Sequence, residues 1–173
     1  MPPQKHIIIA TTAINRPILH NDIMPSWYNF INTLTPSKYS INWFINIDFI
    51  EKIKSSICET EQKFRECIPN IPIQFIHSHE SLAPGNFLKA CTNMAQAITD
   101  FVYKSEFKNE DVIIFWLEDD WKLNPFHVPL ETLIERYLSN ISIINLSFIR
   151  NNYLHALAPC IMNYQLFLDL HVK

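Results

Sequence analysis

A run of six apolar residues, Val112 to Leu117, leads directly into three adjacent acids, Glu118, Asp119 and Asp120. An uninterrupted apolar run of that length, rich in β-branched and aromatic side chains, predicts a strand buried on both faces. A strand of that kind holds no charge in its middle, so the acids belong at its carboxyl end, where open α/β sheets bind ligands. Three neighbouring carboxylates repel one another unless a cation or solvent relieves them. Short Asp arms carrying hard oxygen donors suit Mg²⁺ or Mn²⁺, above all when phosphate oxygens complete the shell. Acids at a strand end also cap helices or simply face water. The triplet therefore raises a divalent-metal diphosphate site beside an ordinary structural role.

The rest of the chain places that strand in context. Apolar runs predict strands at His6–Thr12, Ile41–Ile47, Ile71–Ile76 and Ile141–Ile149 in addition to Val112–Leu117. Helical spacing predicts helices at Pro25–Leu34, Phe49–Cys67, Asn86–Tyr103 and Pro129–Leu138, with a last short helix at Tyr164–Leu170. Pro17 is expected to break the chain after the first strand, and Pro36 to end the first helix. Strands alternating with helices imply a three-layer α/β/α sandwich around a mainly parallel sheet. No repeat, low-complexity tract or linker divides the 173 residues, so a single domain is expected.

Composition narrows the function classes. A net charge of -3 without any basic block argues against a general nucleic-acid binder. No apolar run reaches membrane-spanning length, and the start of the chain lacks the pattern of a secretory leader, so a cytoplasmic protein with no membrane span is expected. Cys58, Cys67, Cys91 and Cys160 form no CxxC pair, which argues against a cysteine zinc site and for buried free thiols. Gly85 is the only glycine, so neither GxGxxG nor a Walker A loop can exist. A GxSxG nucleophile elbow is excluded on the same ground. The first strand ends in Thr11 and Thr12, where an aspartyl-phosphate phosphatase would carry its nucleophilic Asp. If the chain binds a nucleotide, something other than a glycine nest holds the phosphates.

Three features then coincide. The first strand ends in Ala10-Thr11-Thr12, with Asn15-Arg16-Pro17 after it. The second closes on Asp48. The acid-bearing strand follows a helix containing Asn93-Met94-Ala95 and ends in Leu117-Glu118-Asp119-Asp120-Trp121. In this order the chain resembles the nucleotide-sugar glycosyltransferases of the GT-A fold, over roughly residues 5–123. The resemblance implies a GT-A-like domain in which the first strand and its loop cradle the nucleoside. It implies that an Asp after the second strand contacts base or ribose, and that the acidic triplet stands where the family carries its DXD motif. Here the triplet begins with Glu, and the part that follows it is short for such a domain. The implied activity is transfer of a sugar from a nucleoside-diphosphate sugar, a UDP-sugar first, to a glycan or other hydroxyl acceptor. Mn²⁺ or Mg²⁺ is the implied cofactor.

On that reading Asp120 is the first choice for the metal ligand. Glu118, sharing its face by strand alternation, binds metal, ribose or sugar, while Asp119 points away and either assists or fixes the loop. Asp48 accepts a hydrogen bond from base or ribose, or merely ends a strand. Thr11 and Thr12 can touch the nucleoside, although threonine is ordinary in strands. Arg16 and Lys89 can balance the diphosphate, or remain solvated. Asn93 can meet ribose or sugar, or cap local backbone. Asp169 is the only carboxylate after Glu135, hence the carboxylate candidate for the base that inversion requires. His155 and His171 are further candidates for a metal ligand or a base. His77 and His79 could form a metal pair, with satisfied loop histidines the simpler reading. Trp121 could stack on a sugar, whereas Trp116 reads as core. A non-catalytic nucleotide-binding remnant, or an assembly module of a larger glycosylation machine, is the alternative function.

Overall fold

The computed structural model describes residues 4–14, 17–48, 57–77, 87–119, 121–123, 129–137, 143–145 and 160–172. Their strands are β1 (Lys5–Ile14), β2 (Tyr39–Asp48), β3 (Ile73–His77), β4 (Val112–Trp116), β5 (Ile143–Asn145) and β6 (Cys160–Asn163). Their α-helices are α1 (Met24–Ile31), α2 (Ile57–Cys67), α3 (Phe87–Lys104), α4 (Leu130–Tyr137) and α5 (Tyr164–His171). All six strands join one sheet in the order β3-β2-β1-β4-β6-β5. The pairs β1–β2, β2–β3 and β1–β4 are parallel, whereas β6 runs antiparallel to both β4 and β5.

The periodicity of the sequence explains the layers. Odd-numbered residues of β1 and β2, among them Ile7, Ile9, Trp43 and Ile45, face a core closed by Trp27, Phe30 and Ile31 of α1, Phe64 of α2, and Leu130 and Ile134 of α4. Even-numbered Ile8, Ala10 and Phe44, with Ile114 and Trp116 of β4, face Met94, Ala95, Ile98 and Val102 of α3 and Phe167 of α5. The result is an α/β sheet covered by helices on both faces. Its inner strands are therefore apolar on both faces along most of their length. Crossovers β1–α1–β2 and β2–α2–β3 step in one direction and keep their helices on one face. The next crossover steps back past β2 and β1 to β4, so the right-handed rule puts α3 on the other face. The direction reverses between β1 and β4, and that reversal opens a crevice at their carboxyl ends.

Three local features depart from the sequence reading or lie outside it. Pro17 does not end regular structure: it begins a helical segment that passes through a π-helical turn, Leu19–Ile23, into α1. The apolar triplet of β6 is too short to signal a strand, and it enters the sheet only by pairing with β4 and β5. With glycine nearly absent, the left-handed turns after α2 and α3 fall to Asn70 (φ 69°) and Glu106 (φ 56°). The four cysteines are free, Cys91 and Cys160 being buried, Cys67 half-buried and Cys58 exposed. Among the described residues no helix is long and apolar enough to cross a membrane.

Candidate functional site at the strand-order reversal

β1 pairs with β4 from His6 opposite Val112 to Ala10 opposite Trp116, and then continues alone beside β2 as far as Ile14, opposite Asp48. This overhang borders the strand-order reversal, and the chain leaving β4 is tied to it. Leu117 donates its N–H to the Ala10 carbonyl at 2.9 Å, and Trp121 donates back to the Glu118 carbonyl at 3.3 Å. The Trp27 indole, buried in α1, donates to the Trp121 carbonyl at 2.7 Å and pins the far end of the loop.

The two described acids divide their work. Asp119 is 9% exposed, and its Oδ2 accepts the Ile14 N–H at 2.8 Å, which clasps the acid loop to the β1 overhang. This is the loop-fixing role open to it in the sequence. A carboxylate taking a backbone N–H in a low-dielectric setting forms a strong, short hydrogen bond. Glu118 is half-buried, and its Oε1 accepts the Trp116 indole N–H at 3.2 Å, so its carboxylate turns toward the α3 and α5 face. Regular strand ends at Trp116, so strict alternation does not extend through the acids. Burial, with the negative charge of Glu118 as the second cause, pushes the Cys160 thiol up to about 12. Cys160 sits opposite Trp116 in the sheet, which fixes the side to which Glu118 turns.

The threonines separate onto the two faces. Thr11 is fully buried, and its hydroxyl accepts the Trp43 indole N–H at 2.9 Å, which ties it to the core. Thr12 is 5% exposed and neighbours Asn46 of β2 in register. Asn46 is a polar residue that the sequence reading passed over. It is 0% exposed, its amide nitrogen donates to the Ala90 carbonyl of α3 at 3.3 Å, and its Oδ1 has no hydrogen-bond partner among the described residues. A buried carbonyl without a donor costs about 1–3 kcal/mol. Its only signal in the sequence is an Asn inside an otherwise apolar strand.

The contact between Asn46 and Ala90 also brings the first turns of α3 over the carboxyl ends of the strands. Lys89 is exposed and Asn93 half-buried on that helix. The amino end of a helix favours anions. Asp48 closes β2 at this end of the sheet, but its side chain lies outside the described residues, as do Arg16, Asp120, His79 and His155. His77 ends β3 and pairs with Glu61 of α2 at 3.0 Å. Asp169 is exposed on α5 and accepts from Gln165, one turn earlier, at 3.2 Å. It therefore lies on the outer face of α5, while Tyr164 and Phe167 hold the inner one.

No group of three His, Cys, Asp or Glu residues converges for a metal among the described residues. Mg²⁺ and Mn²⁺ in phosphate sites need fewer protein ligands, taking one or two carboxylates together with water and phosphate oxygens. Glu118 and Asp119, side by side at the crevice, belong to that donor class, with one oxygen of Asp119 already holding Ile14. Comparison with protein-family models finds no match, and comparison with curated proteins finds none.

Proposed function

We propose that this chain is a metal-dependent glycosyltransferase of GT-A type, moving a sugar from a nucleoside-diphosphate sugar, a UDP-sugar first, to an acceptor hydroxyl. The observation that carries the reading is the clasp between Asp119 and Ile14. It holds an acidic loop at the carboxyl ends of β1 and β4, where the strand order reverses. Glycine loops are excluded by composition, which favours a cation held by acids as the means of binding a diphosphate there.

On this reading Asp120 is the principal cation ligand, with Glu118 beside it or turned to ribose or sugar. Asp119 keeps the loop in place. Thr12, Asp48 and the buried carbonyl of Asn46 stand on the nucleoside side. Lys89, Asn93 and the amino end of α3 stand toward diphosphate and sugar, and Arg16 is a second positive group. When bound, the cation neutralises charge on the departing diphosphate. Calorimetric titration of UDP with and without Mn²⁺ tests the reading. Binding is expected only with the metal and is expected to disappear in Asp120→Ala. Failure of UDP and other nucleoside diphosphates to bind at millimolar concentration with metal present would end it.

The outward position of Asp169 favours a second reading, a nucleotide-binding module without turnover, because the carboxylate expected to serve as base faces away from the core. Metal-dependent UDP binding with no hydrolysis of any nucleotide sugar would select that module.

A further inference from the structure

We propose that His171 is the general base of this site, the group that takes the proton from the attacking hydroxyl. The inference rests on the reading of the crevice as a nucleotide-sugar site. It begins with the antiparallel strand that the sequence did not reveal. β6 places Cys160 opposite Trp116 and Asn163 opposite Ile113, so the chain runs from the carboxyl end of β4 down to its amino end. There Asn163 caps α5, its Oδ1 accepting the Leu166 N–H at 2.8 Å. Eight helical residues rise about 12 Å, and four strand residues span roughly 10–13 Å. Helix α5 therefore climbs back to the level at which β6 left, and its last residue arrives on the ring of Trp116, which holds Glu118.

Helical spacing decides which residue arrives facing inward. Phe167 is buried, and His171, four positions later, lies on the same face. Its ring stacks flat on Trp116, with centroids 4.9 Å apart and planes within 4°, and lies 5.2 Å from the Phe167 ring. Trp116 is the residue whose indole N–H holds Glu118. The imidazole and the acid thus share one rigid support, the arrangement that keeps catalytic groups in register. A flat stack covers a face of the imidazole and leaves its nitrogens at the edge. Neither nitrogen takes a hydrogen bond among the described residues. Burial holds the ring below the usual histidine range, so it is the neutral, proton-accepting form that sits there near pH 7. Asp169, two residues earlier, faces outward and cannot take this place while Gln165 holds it.

The step is a single displacement. The hydroxyl proton passes to an imidazole nitrogen, and the oxygen lone pair forms the bond to the anomeric carbon. The carbon–oxygen bond to the diphosphate breaks, its electron pair staying on the diphosphate. Configuration at the anomeric carbon inverts.

The test uses the full chain with Mn²⁺ and a UDP-sugar that it hydrolyses, water serving as acceptor. His171→Phe keeps a stacked ring without a base, and His171→Ala opens space for added imidazole. Both are expected to bind UDP within about twofold of the unaltered chain and to lose about 100-fold or more in turnover, the usual contribution of a general base. Added imidazole is expected to restore part of the turnover of His171→Ala, and the released sugar is expected to be the inverted anomer by proton NMR. Undiminished turnover in His171→Phe, a retained anomer, or UDP binding with no hydrolysis by the unaltered chain overturns the proposal. Absence of nucleotide binding by the unaltered chain is the separate failure of the donor-site reading, and the base falls with it.

Discussion

The two ends of the β1–β4 pair handle acids differently. At the amino end, Asp111 is held by Lys5, 2.9 Å away across the sheet, and Lys5 also donates to the Glu110 carbonyl. His6 stacks on Phe107 with centroids 3.6 Å apart and meets the Ser40 hydroxyl at 2.7 Å, so this end is closed by side chains. At the carboxyl end, Asp119 is held by a backbone N–H from the β1 overhang, and Glu118 by an indole. A lysine clasp neutralises an acid. Amide and indole clasps orient an acid without themselves neutralising it. The same pair of strands is therefore sealed at one end by an ion pair and a ring stack, while at the other its acids are held by an amide and an indole, and that is the end where α/β sheets receive ligands.

Mutations at the two ends sharpen this contrast. Asp119→Ala removes the acceptor from a half-buried backbone N–H and unclasps the acid loop. It is expected to cost about 2–3 kcal/mol, within the range for a hydrogen bond to a charged group plus the group left unpaired. Urea unfolding measures the loss, and metal-dependent UDP binding should weaken with it. A cost near zero would mean that the clasp does not organise the crevice.

Lys5→Met at the opposite end is expected to cost no more than about 1 kcal/mol, because Lys5 is 41% exposed and solvent screens the pair. The cost should shrink in high salt, and UDP binding should not change. Equal losses at the two ends would erase the distinction between them.

The smallest effect concerns pH. Burial holds His6 below the usual histidine value, against a raising influence from Asp111. A base whose pKa is lower folded than unfolded contributes fully above about pH 6.5, and its contribution is lost as pH falls toward the folded value. Stability is thus expected to decline on acidification below pH 6.5, because the unfolded chain binds more protons there. His6→Gln should make that decline shallower in unfolding curves taken at successive pH values. An unchanged slope would remove His6 from the account of the sealed end.

Much of the element order was legible locally. Apolar runs and three-four spacing placed β1, β2, β4 and α3 to within a few residues, because burial of a face is written into every period of the chain. β6 was not legible: Cys160-Ile161-Met162 is as short as many apolar triplets that never pair. Asn46 drew no notice in the sequence, and its buried carbonyl lacks a donor among the described residues only because of how β2 and α3 pack. Asp169 looked like the available base because composition records that a carboxylate exists and not which side of a helix it occupies.

By itself the sequence determined that three acids follow a strand buried on both faces, that glycine phosphate loops are impossible, and that strands alternate with helices. These follow from nearest-neighbour chemistry and from periods of two and 3.6 residues. The tertiary structure alone decided that β4 lies beside β1 and that Asp119 reaches the Ile14 amide. It alone carried His171, through an antiparallel strand and a helix, onto the ring of Trp116. Those juxtapositions join residues more than fifty positions apart. They arise from which segments bury surface against one another, and no short window of sequence contains both partners.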